Sequence, residues 1–465
     1  MSTKRVVAVS LAISLLAGSG AAAQTLSPAG AKARLEAVPQ AYMPNNAFMG
    51  AVLVARGDDI LLDRGYGKAD VEWGLDNAPD VEFRLGSLTK QFTATLVLML
   101  QEDGKLKLTD PVNKYLPDAP KSWSSITIVQ LLGHVSGIAN FTDDERFTVW
   151  RMSSHTLAEE LAFIEAKPTR FEPGSKFEYS NSNYEVLGAI IEKVSGRSYA
   201  EMLEQRIFRP LGMKNTGLDE DELILGKRAQ GYQTGKGGLE HARSESMTVP
   251  WAAGSIYSTT GDLLRWERGL FGGKLISPAS VRLMTTPGKG DYGLGLGVSK
   301  RDGRTVIDHN GGIEGFNTFL AYEPDQRIAV AVLSNVNGIA PGVMGLQLLD
   351  VASGKSVTLP TERKPILISP GELGKFEGEF RLPEGTPVIM AKGPKALTMK
   401  RGVDGAPREL FYEGANRGRA LFYEPTRYLE VEFVSDGSGK MSSVILHFSG
   451  GDETAKRSTT TAPHA

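Results

Sequence analysis

Ser87 and Lys90 are the residues of this chain whose types and spacing best suit chemistry. They sit in Arg84-Leu85-Gly86-Ser87-Leu88-Thr89-Lys90-Gln91-Phe92, at the start of a segment that reads as a helix. Positions i and i+3 share a helix face, so the lysine amine can lie beside the serine hydroxyl and take its proton. A serine hydroxyl is a weak nucleophile until a base does this, and an amine can serve only when it is neutral. Burial must therefore lower the lysine pKa from about 10.4 by disfavouring its charged form. The following residues, Phe92 and Leu96 through Leu100, are apolar on nearly every face, as in a helix enclosed by other elements, and Gly104 supplies a stop. The helix N-terminus carries partial positive charge near Ser87, which disfavours a second cation and stabilises an oxyanion.

A Ser-x-x-Lys spacing arises by chance about once or twice in a chain of this length, so partners must decide its meaning. Tyr179 and Asn181 stand two apart in a loop rich in turn formers that runs from Phe171 to Asn183. Taken alone, Tyr179 reads as a half-buried packing residue and Asn181 as a turn former. A third cluster, His309-Asn310-Gly311-Gly312, falls where strands turn. His134 ends a short amphipathic helix within Thr127–Gly137 and reads as a structural group holding a loop rather than a general base.

These residues need elements to hold them. Gly50–Ala55 and Ile60–Tyr66 predict a hairpin ahead of the nucleophile helix. Helices are expected around Leu157–Ile164, over Tyr184–Val194 with a stop near Gly196, over Ala200–Ile207, and after Thr259, which has capping spacing to Asp262. From residue 292 the period becomes that of strands: Tyr292–Val298, Arg304–His309, Phe316–Tyr322 and Arg327–Leu333, joined by short turns that imply antiparallel neighbours. With the hairpin they form one sheet covered by helices. Residues 358–370 read as a linker with three prolines, and 371–455 as an all-β domain of short strands forming a small barrel. Residues 456–465 read as a disordered tail.

The N-terminus is basic at Lys4 and Arg5, apolar from Val6 to Ala17, and small-residued at Ala21-Ala22-Ala23. That order is the pattern of a signal peptide over residues 1–23, cleaved after Ala23, and the apolar run is too short to span a membrane well. The chain has no cysteine, which excludes disulfides, thiol catalysis, thiolate metal sites and a lipid-modified cysteine anchor. The expected product is soluble in the periplasm or medium, with no membrane anchor after signal removal. A formal net charge of -2 over 465 residues gives no electrostatic footprint for nucleic acid. The six histidines show no metal-ligand spacing and no glycine-rich phosphate loop follows a strand, so no cofactor is expected.

Taken in order, Ser87-x-x-Lys90, Tyr179-Ser180-Asn181 and His309-Asn310-Gly311 resemble the three motifs of the penicillin-recognising serine hydrolases. The resemblance is nearest to the class C β-lactamase-like group, with its serine D-Ala-D-Ala carboxypeptidases, D-aminopeptidases and esterases. It extends over about residues 30 to 350, including the turns Leu131–Gly137 and Ala253–Ser258. It implies a mixed α and β hydrolase domain over 24–357, comprising an antiparallel sheet, covering helices and a helical subdomain. The C-terminal domain resembles the lipocalin-like appendages of some of these hydrolases; covering the active-site mouth, stabilisation and docking are all open to it.

The same resemblance implies that Ser87 forms an acyl-enzyme, that Lys90 and Tyr179 share the general-base work, and that Asn181 bonds Lys90 and the substrate amide. His309, Asn310 and Gly311 would border the substrate. Glycines there let substrate backbone approach, and the Gly312 N–H joins the Ser87 N–H as an oxyanion donor. Many β-lactamases of this broad family carry Lys-Thr-Gly at the third motif. Histidine removes the fixed cation and Asn310 removes a hydroxyl contact to carboxylate, which argues against efficient penicillinase activity. The expectation is an exported serine hydrolase acting on a small-molecule or peptide substrate, foremost a peptidase for D-residue or unusual peptides. The alternatives are a carboxylesterase, a β-lactamase, or a non-catalytic sensor of β-lactams or peptidoglycan fragments.

Overall fold

The computed structural model describes residues 27–458, apart from 236–237, 339, 384, 395, 404, 406, 417–418, 425–428 and 449–450. The expected signal segment lies outside the described residues.

Strands β1 (Gly50–Arg56), β2 (Asp59–Tyr66), β3 (Gly297–Arg301), β4 (Arg304–Ile313), β5 (Phe316–Glu323) and β6 (Ile328–Ser334) form one antiparallel sheet in the order β3-β4-β5-β6-β1-β2. The alternation of β1 explains its interior place, between β6 and the edge strand β2. Ala51, Leu53 and Ala55 point into one apolar cluster while Val52 and Val54 point into another, so both faces are covered. Helices α1 (Pro28–Ala41) and α5 (Ala340–Ala352) cover the Val52 face. Helices α2 (Thr89–Glu102), α3 (Asn181–Ser195) and α4 (Thr260–Phe271) belong to the other layer, whose core includes Phe92, Leu187 and Trp266. The residue pattern does not mark α1 and α5, because each carries a proline or glycine inside its span: Pro39 in the first, Gly342 and Gly345 in the second.

Two expectations are corrected. The strand predicted from Tyr292 begins only at Gly297. The preceding chain instead packs on α2, where a Cβ at Gly295, whose φ is +81°, would lie 2.7 Å from the Lys90 carbonyl oxygen. The second correction concerns the start of the tail, Lys456 and Arg457; residues 459–465 of it lie outside the described residues. Gly451–Arg457 is a strand that pairs with both Met441–Phe448 and Gly378–Arg381, closing an eight-stranded barrel. Its polar composition hides it: Ala455 alone enters the barrel core there.

The connection between the two units is tied down. Arg34 of α1 pairs with Glu362 at 2.5 Å, and Arg363 pairs with Glu413 of the barrel at 3.2 Å and with Glu430. These ties lie on the α1 side of the sheet.

Candidate active site

The Ser87 turn is built by close backbone packing. Leu85 donates its N–H to Ile256 at 2.8 Å, and Thr318 on β5 donates its hydroxyl to the Leu85 carbonyl at 2.7 Å. Gly86 has φ +57°, and a Cβ there would lie 2.8 Å from the Gly312 nitrogen. A Cβ at Gly311 would lie 2.0 Å from the Leu85 carbonyl oxygen. Glycines on both sides thus let β4 and the Ser87 turn meet backbone to backbone. A short 3₁₀ turn, Gly86–Leu88, then leads into α2, which is buried from Thr89 through Leu100.

Lys90 is fully buried, with its amine 3.0 Å from Ser87 Oγ, 2.8 Å from Asn181 Oδ1 and 2.9 Å from the Ala253 carbonyl. Desolvation lowers its pKa to about 7, opposed by the carboxyl of Glu185. A neutral amine can donate to Asn181 and Ala253 while its lone pair faces the Ser87 hydroxyl. The phenol of Tyr179 also acts on that hydroxyl: burial, the larger effect, raises its pKa and holds the phenol in the neutral form, while its interaction with Ser87 lowers it.

Asn181 begins α3, three residues earlier than the apolar pattern suggested, so its side chain is fixed by the helix start. Asn140 Oδ1 accepts from the Asn181 N–H at 3.0 Å. His134 is buried with φ +55° and accepts from the Ser180 N–H at 3.2 Å, while its ring lies 4.3 Å from that of Tyr179. Burial keeps it neutral. It touches the loop and the tyrosine ring, in keeping with a structural histidine.

His309 has protein partners at both ring nitrogens: its Nδ1–H donates to the Asn310 carbonyl at 2.6 Å and its Nε2 accepts from the Tyr292 hydroxyl at 2.9 Å. Burial also lowers its pKa to about 4, so it carries no charge at neutral pH. Asn310, whose carbonyl holds that ring, and Gly311 are both in the β4–β5 ladder, opposite Phe319 and Thr318.

A cleft of about 390 Å³ opens over Ser87. Its wall includes Asn181 and Gly312, and also Phe141, Phe147, Arg151, Val249, Glu245 and Glu314. The sequence reading missed these last six because they come from three stretches distant in sequence, 141–151, 245–249 and the turn at Glu314, with no shared period. No described barrel residue lines this cleft.

A family model described as Beta-lactamase matches residues 36–351. The chain belongs to the beta-lactamase family. Penicillin-binding protein 4* of Bacillus subtilis (strain 168) is 30% identical over 449 residues, covering 88% of this chain and 95% of that protein. The octameric penicillin-binding protein homologue from Pyrococcus abyssi superposes with a TM-score of 0.67 at 25% identity, covering 91% of this chain and 99% of the other. A D-stereospecific amidohydrolase from Streptomyces superposes with a TM-score of 0.59 at 28% identity, covering 69% of this chain and 98% of that one. Like its relatives in the beta-lactamase family, the chain is a serine hydrolase.

Proposed function

We propose that this beta-lactamase family member is an exported hydrolase that cleaves an amide or ester through an acyl-enzyme on Ser87, foremost in peptides with D-residues. The observation that carries the reading is the Ser87 hydroxyl held between a buried amine 3.0 Å away and a neutral phenol. Lys90, with a pKa near 7, takes the hydroxyl proton as Oγ attacks the substrate carbonyl. The N–H groups of Ser87 and Gly312 receive the oxyanion. The proton passes from Lys90 through Tyr179 to the leaving nitrogen or oxygen, whose bond to carbon then breaks. Water repeats the sequence against the acyl-enzyme, giving the free acid and restoring Ser87. In this scheme Tyr179 is a relay rather than a resting base, because burial raises its pKa.

The basic, apolar and small-residue order of residues 1–23 supports export, and no helix among the described residues is long and apolar enough to cross a membrane. D-residue substrates are supported by likeness to the D-stereospecific amidohydrolase. The neutral, fully engaged His309 argues against efficient penicillinase action. The apolar cleft wall at Phe141, Phe147 and Val249 favours a carboxylesterase as the second reading. The test is intact-mass spectrometry of the chain from Gln24 with an ester and with a D-residue amide, beside Ser87→Ala. An acyl adduct and turnover confined to the wild type are expected. Turnover that survives in Ser87→Ala would sink the mechanism, and binding without turnover would point to a sensor.

A further inference from the structure

The charges in the cleft wall are unevenly paired. Arg151 is the cation there, and it is committed to Glu314 at 2.5 Å. That leaves Glu245. It is only 9% exposed, and its carboxylate accepts one long contact, 3.5 Å from the Glu314 N–H. A carboxylate taken this far out of water without strong partners costs free energy that a ligand cation would recover. Desolvation accordingly raises its pKa, while Arg151 and, more weakly, Arg84, itself paired with Asp219, pull it back.

The other half of the argument is the lack of a partner for a substrate carboxylate. The third-motif position that would supply a cation is His309, and both its nitrogens are used. Among the described lining residues Arg151 is the one cation, already neutralised by Glu314. Among its described lining residues, the cleft over Ser87 therefore offers one carboxylate without an ion pair and no unpaired cation.

We propose that Glu245 receives a free ammonium group of the substrate, so that the preferred substrates are amides or esters of amino acids with an unblocked amine rather than molecules presenting a free carboxylate. This rests on the acyl-enzyme reading above and names the substrate class for the same site. The ammonium would donate to the Glu245 carboxylate while the acyl carbonyl meets Ser87 Oγ, and the apolar side chain would lie on Phe141, Phe147 and Val249.

The test compares D-alanine p-nitroanilide with N-acetyl-D-alanine p-nitroanilide on the full chain. Acetylation removes the positive charge and leaves the scissile bond. A charge-assisted contact at a partly dry site predicts that the wild type prefers the free amine by about 10- to 100-fold in kcat/KM, carried largely in KM. Glu245→Gln should bring that ratio close to one, and Glu245→Asp should restore part of it. A wild-type ratio of one or below overturns the proposal, as does a ratio that Glu245→Gln leaves unchanged. The wild-type ratio needs no variant, so it decides even if the variants fold poorly. If neither anilide is cleaved while p-nitrophenyl acetate is turned over through Ser87, the ammonium subsite falls and the hydrolase reading stands. If p-nitrophenyl acetate turnover persists in Ser87→Ala, both fall.

Discussion

The two cores of this protein are packed on different principles. The barrel interior is apolar, with Phe376, Phe380, Phe422 and Phe433 meeting ring to ring at 4.9 to 6.2 Å. Among its described residues Glu432 is the only buried charged side chain. The hydrolase core, by contrast, buries Lys90, His134, Glu160, Glu185 and Glu267. Each such group costs desolvation free energy, and the barrel shows how the same chain packs with almost none of them. The difference is what the proposed mechanism requires: a core that tolerates an unfavourable burial to keep an amine neutral.

Breaking the chemistry without breaking either core should have the largest effect. Ser87→Ala is expected to lower ester turnover by about 10⁴-fold or more with an unchanged melting curve. Lys90→Met separates the two principles most directly. Turnover should fall by about 10²- to 10⁴-fold, while the relief of no longer burying an amine is offset by leaving Asn181 Oδ1 and the Ala253 carbonyl without their donor, so the unfolding free energy should change by no more than about 2 kcal/mol. Steady-state kinetics and thermal melting on the same sample check both, and a collapse of stability in step with activity would contradict this account of the burial.

In the barrel the expectation reverses. Phe433→Ala should remove about 3–5 kcal/mol from barrel stability and leave kcat within about twofold, because no described barrel residue lines the cleft. Denaturation followed with activity as one probe and circular dichroism as another would show the barrel melting first. A parallel loss of activity would mean that the barrel shapes the site.

A pH series sharpens the comparison from the hydrolase side. With Lys90 held near 7 and the neutral amine as base, kcat/KM should rise about tenfold per pH unit below about pH 7 and level off above it. The same shift makes a stability statement. Between about 7 and 10.4 the unfolded chain holds a proton on this lysine that the folded one lacks, so Lys90 makes stability rise with pH across that window. Glu185, which faces the lysine through Ala253, opposes the shift: its Oε1 accepts from the Ala253 N–H at 3.2 Å. The smallest effect is expected at the join. Arg363→Ala should cost at most about 1 kcal/mol, since its pairs with Glu413 and Glu430 are partly exposed.

The chemistry was more legible in the sequence than its surroundings. Ser87 and Lys90 share a helix turn, so their spacing alone encodes their contact. Tyr179 and Asn181 could be placed only through the family resemblance, because a loop has no period. The sheet could be read from alternation in β1, β4, β5 and β6, whereas the closing barrel strand could not, with Ala455 as its one apolar inward residue. His309 was read for its type and charge, and its engagement by Tyr292 was invisible because the glycines at 293, 295 and 297 look like strand punctuation. Glu245 had no local signature: its meaning comes from Arg151 and Glu314, 94 and 69 residues away in sequence.

The place of β1 in the sheet has a consequence for synthesis. Gly50 pairs with Ser334, so this interior strand is made early and its neighbour on one side very late. At about 5–20 residues per second the wait is on the order of tens of seconds, during which the hairpin shows an apolar edge and both of its faces. The nascent hydrolase domain cannot lock before β6 has emerged, which keeps the polypeptide threadable for most of its own production and makes that interval the time at which a holdase chaperone would matter most.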